Sequence, residues 1–495
     1  MAQTVCRPLG LLEKYQISKH LAKVYGNISM SIRFRFSSKT SPLHLGDLGQ
    51  ASAYFERRLI PAFKQLCSEI PQLMLGVIDT HTTVPKFLHI GQFDFAKILT
   101  ISVAKFFDDA ILSQSIAEEI RHPFDLGDHT LPLWRLLVLV HEQKPDEFVV
   151  MWVVHHVIAD GLSMTILWTR LLEKLNGAKE TIDDGQNSII IAASTVTLEP
   201  PCDQRTRHHP TLFDLIPVIV KKKVLPSFIA EYFDPPYWAG KTPAIREPHH
   251  TLARVFEIPR QATLTLGQKC KSENTTLHAA LYVSTVINLL EVFCSGDGAE
   301  DTGQGIYFRS FTPFNARTLC DPVVSSTESG NFVGSFERNF GFQRPLHGAV
   351  NTLKSDFWTY CRIYKTELSA SLVQGVKVTN MLQYIGEFPS QWLNFWSSNL
   401  KNHPMGRNAS FEISDLGKWN VPSAPENNGS EAGWELVSAT FTQSANVVGP
   451  SFLLNCVTAA GVLRGMVTWH KGALEEDDVQ RFVNGIRRTL LELLA

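Results

Sequence analysis

From Ile28 to Phe36 the chain alternates Ile28, Met30, Ile32, Phe34 and Phe36 with Ser29, Ser31, Arg33 and Arg35, and period two predicts a strand with one wet face. Before it, Leu12, Tyr15, Leu21 and Val24 recur at roughly helical intervals and Gly26 follows as a stop, so Leu11 to Val24 is expected to be a helix. A helix over Ala51 to Ser68, strands near Met74 to Ile78 and Phe87 to Ile90, and a helix near Leu112 to Arg121 follow. Leu133 to Val140 and Glu147 to His156 are nearly continuous apolar runs parted by the turn-like HEQKPD, the pattern of two buried strands in a hairpin. The second run leads through VIADG into a helix from about Ser163 to Asn176.

Between Thr181 and His250 the pattern breaks into polar, proline-rich and basic pieces, which reads as a crossing segment with a short helix at Leu212 to Val220. A second mixed pattern begins at Thr251. It comprises a helix over Thr276 to Phe293 and strands over Gly305 to Thr312, Phe332 to Phe336, Ser410 to Ser414, Leu436 to Thr442, Ser451 to Thr458 and Val462 to His470. A closing helix, Glu475 to Leu494, puts Val479, Phe482, Ile486, Leu490 and Leu493 on one stripe, with four acidic residues where the helix dipole favours negative charge. The expected division is 1–195, a crossover 196–250, and 251–495, with no sequence repeat.

Composition narrows this picture. A chain of 495 residues, 44% hydrophobic and 19% charged, can bury a large core. A net charge of -2 supplies no basic field for nucleic acid. The eight cysteines are scattered without a CxxC pair, which suits mostly buried thiols in a reducing, cytoplasmic setting. The N-terminal residues lack the layout of a secretory signal, and no uninterrupted apolar run of about 18 residues suggests a membrane span. The amphipathic segments at both ends are expected to pack on a core, with peripheral association with lipid as the alternative.

The informative stretch is His155-His156-Val157-Ile158-Ala159-Asp160-Gly161. At the end of a buried strand, consecutive side chains point to opposite faces, so one imidazole can face a reactant while its neighbour packs elsewhere. In one reading His156 is a general base, Asp160 a structural carboxylate that accepts an arginine, and Gly161 a turn residue tolerant of positive φ. In the other, both histidines are satisfied at a strand end and Asp160 caps the following helix. No His, Asp and Glu set has metal-ligand geometry, so no metal is expected. The pairs His208-His209 and His249-His250 read as loop polarity.

HHxxxDG after a buried strand resembles the signature of the HxxxD acyltransferase superfamily, which includes chloramphenicol acetyltransferase, plant acyl-CoA-dependent acyltransferases and peptide-synthetase condensation domains. RPLGLLEKY (Arg7 to Tyr15) resembles the opening of the fungal alcohol acetyltransferase family, and FDLGDHTLPLWRLLVL (Phe124 to Leu139) the strand before the motif. FTPFNAR (Phe311 to Arg317), GNFVG (Gly330 to Gly334) and FEISDLG (Phe411 to Gly417) are similar to further segments in the family's order.

The resemblance implies an α/β fold of two chloramphenicol-acetyltransferase-like halves, each with a mixed sheet, and an active-site channel between them. It implies Arg317 as partner of Asp160, with Arg135 as rival, and acetyl-CoA or another acyl-CoA as a co-substrate bound with a small hydroxylated acceptor. A monomer is expected.

Two departures stand out: the plant DFGWG loop is absent, and Asp415 replaces the asparagine of the family's SNLG. The absence of a GxSxG elbow or a cysteine nucleophile favours direct transfer in a ternary complex. Ser414, Thr442 and Ser444 are candidate oxyanion or substrate contacts, each equally readable as an ordinary hydroxyl, and Lys221-Lys222-Lys223 reads as a solvated face. Two other functions compete: a stand-alone condensation-type enzyme fed by a carrier protein, and a non-catalytic binding module.

Overall fold

The structure is a computed structural model that describes residues 3–36, 48–104, 108–142, 144, 146–177, 188–190, 197–211, 213, 214, 216, 235–245, 249–294, 305–422 and 433–494. The run Lys221 to Lys223 and most of the helix expected over Leu212 to Val220 lie outside these residues.

Two mixed sheets organise the chain. The first has five strands in the order Trp434–Gln443, Ile28–Phe36, Glu147–Val154, Trp134–His141 and Leu99–Ala104. All its pairs are antiparallel except the last, which is parallel. The hairpin read from the two apolar runs is its centre, and every residue of Glu147–Val154 is buried. The second has six strands in the order Thr251–Ile258, Val462–His470, Pro450–Ala459, Ala409–Trp419, Ile306–Asn315 and Val333–Phe342. Two parallel pairings, of Ala409–Trp419 with its neighbours on either side, sit among antiparallel ones. Trp434–Gln443, although late in the chain, completes the sheet of the N-terminal half.

Helices cover each sheet. Leu48–Glu69 and Gly161–Gly177 pack on the first around Phe63, Trp134, Trp152 and Trp168. Leu277–Leu289, Phe357–Ala370 and Glu476–Glu492 pack on the second. Between the sheets lies Asp109–Arg121, whose Leu112, Ile116 and Ile120 meet Val149, Met151 and Val153 on one side and Ala253, Val255 and Met466 on the other. That seam explains a departure from the alternation: Ser29 and Ser31, expected to be wet, are 0% and 2% exposed because the helix and second sheet cover their face.

Other differences have physical causes. The first helix ends at Leu21, and its buried residues are Glu13, Gln16, Ile17, Ser18 and Lys19, so a largely polar face turns inward. Four helices over 346–402 and the strand Leu99–Ala104 were not among the expected elements, although Leu99, Ile101 and Val103 alternate with Thr100 and Ser102, and three of the helices bury one face at helical spacing (Leu346, Val350 and Leu353; Phe357, Cys361 and Tyr364; Trp392, Trp396 and Asn399). The segment Leu277–Cys294 has mean hydropathy 1.6 and is long and apolar enough to cross a membrane, but 72% of it is buried within the protein. Val479, Phe482, Val483, Ile486 and Leu490 of the last helix are buried in the same core. Seven of the eight cysteines are buried, Cys6 is half-buried, and all eight are free thiols.

Candidate active site

The strand Glu147–Val154 delivers His155 and His156 to a turn, and the next helix starts at Gly161. His155 continues the ladder through its N–H to the Leu133 carbonyl at 2.9 Å. Its Nδ1 accepts the Val157 N–H at 3.0 Å, and its Nε2 lies 3.3 Å from Nδ1 of His20. Burial and the neighbouring imidazoles of His20 and His156 push its pKa well below the ordinary histidine value. His155 is thus a packed, uncharged ring.

His156 points the other way. Its ring lies 6.3 Å from that of Tyr25 and is 9% exposed. Burial first, then the charge of Lys19, lower its pKa to about 4, so it is neutral across the physiological range. The carbonyls of His156 itself and of Ala159 favour a proton on the ring, yet neither completes a hydrogen bond with Nδ1, which is sealed from water.

Asp160 is saturated. Its Oδ1 accepts from the Ser163 N–H (2.7 Å), the Ser163 hydroxyl (2.7 Å) and Arg317 Nη2 (3.2 Å). Its Oδ2 accepts from Arg317 Nη1 (2.8 Å) and the Phe332 N–H (3.0 Å). Burial alone would raise its pKa, but the Arg317 charge and these donors hold it below the usual carboxylate value. One side chain therefore caps the helix that follows and also anchors an arginine from the other half.

Arg317, 1% exposed, lies over the Phe332 ring at 4.7 Å and donates its Nε–H to the Glu328 carbonyl at 3.1 Å. Arg135 pairs elsewhere, with Glu119 at 3.1 Å. Gly161 is needed for a reason the sequence did not suggest. Its φ is not positive, but an added Cβ would stand 2.7 Å from Leu416 Cδ2 and 3.2 Å from Phe441 Cζ.

Asn331 was missed by the sequence reading. Its Nδ2 donates to the carbonyls of His156 and Val157, each at 2.8 Å, which ties the histidine loop to the segment before Val333–Phe342. The only signal for it was its place inside GNFVG.

The three candidate hydroxyls part company. Ser414 is 8% exposed and, two residues along a strand, shares a face with Glu412, opposite Asn455. Gln443, from the first sheet, donates to Glu412 at 3.3 Å and Asn455 at 3.1 Å and accepts from the Tyr25 hydroxyl at 3.2 Å, which extends that polar patch towards His156. Thr442 points to the opposite face from Gln443, beside Ser29, and its buried hydroxyl makes no hydrogen bond. Ser444 accepts the Gly26 N–H at 3.0 Å and touches Thr251 and His249, so it is engaged in the seam. His249 is correspondingly a seam residue, bonded to the Ala445 carbonyl at 2.9 Å, and is more than loop polarity.

Asp415 accepts the Gly417 N–H at 2.8 Å and lies 3.4 Å from His278 Nδ1, at a bulge where Gly417 has a φ of +69°. Among the described residues no cluster of three or more His, Cys, Asp or Glu could hold a metal ion.

Known structures share this arrangement of two mixed sheets. The TRI3 trichothecene 15-O-acetyltransferase of Fusarium sporotrichioides superposes with a TM-score of 0.67 at 13% identity, over 99% of this chain and 95% of that one. The condensation domain of the monacolin K polyketide synthase MokA superposes with a TM-score of 0.55 at 11% identity, over 100% of this chain and 98% of that one. The fold is thus the two-lobed one of chloramphenicol-acetyltransferase-like acyltransferases and condensation domains.

Within that class the family follows from sequence. The alcohol acetyltransferase family model matches residues 8–474, and the chain belongs to that family. A Fusarium pseudograminearum protein described as "Probable alcohol acetyltransferase FCK4" is 22% identical over 99% of this chain and 95% of its own length. The protein is an acyltransferase.

Proposed function

We propose that the protein transfers an acetyl group from acetyl-CoA to a hydroxyl of an alcohol or small natural product, with His156 as general base. One observation carries the reading: a neutral, buried imidazole stands on a loop held to the other half by Asp160, Arg317 and Asn331. With Nδ1 sealed, Nε2 is the nitrogen that can meet an acceptor. It takes the hydroxyl proton as the oxygen attacks the thioester carbonyl. The tetrahedral oxyanion then collapses, and the coenzyme A sulfur leaves with the proton carried by His156. Asp160 and Arg317 position the loop without touching the reactants. Ser414, on the face that carries Glu412, is the hydroxyl best placed among the three candidates to stabilise the oxyanion.

The test is release of free thiol from acetyl-CoA with an alcohol library, read by mass spectrometry for added acetyl groups. Thiol release should require an acceptor, and His156→Ala should abolish it while the thermal midpoint survives. Undiminished turnover in that variant overturns the assignment of the base. Transfer from a loaded carrier protein but none from acetyl-CoA overturns the donor and favours the condensation-type alternative.

A further inference from the structure

The helix Leu11–Leu21 turns a polar face inward, and one residue of that face, in the last turn, has no structural explanation so far. Lys19 is 8% exposed. Its Nζ lies 4.5 Å from the ring centroids of both Tyr15 and Tyr25, and it makes no hydrogen bond or direct ion pair with any described residue. A buried ammonium has three donors and is costly to leave unmatched.

Its charge partner is Glu412, which feels Lys19 electrostatically but does not reach it. Burial pushes the Glu412 carboxyl up and the Lys19 ammonium down to about 8, and each opposes the other's shift. Glu412 receives one hydrogen bond, from Gln443, and although it lies deep in the molecule, part of it remains open to water. A donor-only group and an acceptor thus stand in one polar cluster, linked through Tyr25 and Gln443, without a direct bond between them. Tyr25, which lies against both Lys19 and His156, puts this cluster beside the imidazole.

We propose that Lys19 and Glu412 form a specificity site for a second hydroxyl of the acceptor, so that the protein prefers diols and polyols over simple alcohols. The inference rests on the acceptor side of the function proposed above. A hydroxyl fits because one oxygen can accept from Lys19 and donate to Glu412 at the same time. A carboxylate would meet the Glu412 charge, a carbonyl would leave Glu412 unmatched, and an alkyl group would leave both unmatched. The second hydroxyl is held here while the first faces His156.

Lys19 also acts on the base. The ionisable groups facing His156 are Lys19 and Tyr25 from the N-terminal segment and His155 and Asp160 from its own loop, and of these the Lys19 cation opposes protonation most.

The experiment compares trans-cyclohexane-1,2-diol with cyclohexanol in two assays, acetyl transfer and calorimetric binding to the resting protein. Wild type should favour the diol in kcat/KM and in affinity by about 10- to 100-fold, the worth of hydrogen bonds to charged groups. Lys19→Met and Glu412→Gln, which keep side-chain volume, should bring that ratio near one. Lys19→Met should also move the acid limb of kcat/KM to higher pH.

Equal binding of the two probes by wild type, or an equal loss for both probes in the variants, overturns the proposal. Diol-selective binding that depends on Lys19, in a protein that transfers no acetyl group, would sustain the site and sink the acetyl-transfer reading instead. The thermal midpoint of each variant separates loss of selectivity from loss of fold.

Discussion

Removing the Asp160 charge tests how the histidine loop is held. In Asp160→Asn the amide fits the same space, but one oxygen becomes a donor. In the less damaging orientation the new NH2 replaces Oδ2 and confronts two donors, Arg317 Nη1 and the Phe332 N–H. Arg317, 1% exposed, then keeps its charge with no counter-charge. Breaking one side of a buried pair costs about 3–5 kcal/mol. Arg317→Met leaves the Asp160 charge without its counter-charge and should cost towards the lower end of that range, because Asp160 retains its two bonds from Ser163 and one from Phe332.

The unfolding entropy of a chain this long is about 1 kcal/mol per kelvin if it melts as one unit, so each variant should melt about 3–5 °C lower. The double variant removes both charges and should lie about 2–3 kcal/mol above the sum of the singles. Calorimetric and urea melts of all four proteins, with kcat/KM on one acceptor, measure this. Additive losses, or a midpoint for Asp160→Asn within about 1 °C of wild type, would refute the clamp.

Gly161→Ala should destabilise by about 1–3 kcal/mol through contact with Leu416 and Phe441, and Leu416→Ala added to it should recover part of the loss; melts of single and double variants check both. Asn331→Ala should cost about 1–3 kcal/mol by orphaning the His156 and Val157 carbonyls, and should lower kcat more than it raises KM; a pure KM effect would contradict a positioning role. Because the His156 pKa falls to about 4 in the folded state, the acid limb of kcat/KM should lie near there under the general-base role proposed for it, and a limb near the ordinary histidine value would contradict that role for a buried His156. Between about pH 6.5 and the folded pKa the unfolded chain binds the extra proton, so stability falls as pH falls. From pH 7 to pH 5 that amounts to about 2 kcal/mol for His156, a slope that His156→Ala should remove in urea titrations.

Much of the frame was legible because local patterns record it. The apolar runs around HEQKPD form the central hairpin, the stripe from Val479 to Leu490 packs inward, and HHxxxDG stands at a strand end. Periodicity failed where burial was not a matter of one apolar face. Ser29 and Ser31 look solvated in sequence and are covered by a helix and a sheet brought from elsewhere. In the first helix the apolar positions Leu12, Tyr15 and Leu21 are only half-buried, while Glu13, Gln16 and Lys19 face inward.

The sequence by itself determined the two mixed patterns, the motif and the family resemblance, since strand pairing, helix stripes and short signatures are encoded in near neighbours. Tertiary structure alone decided what surrounds the imidazole. Arg317 reaches Asp160 from 157 residues away, Asn331 reaches the His156 carbonyl from 175, and Gln443, bonded to Glu412, meets Tyr25 from the far end of the chain. Such contacts carry no local period, because each is fixed by how two sheets and the helix between them pack.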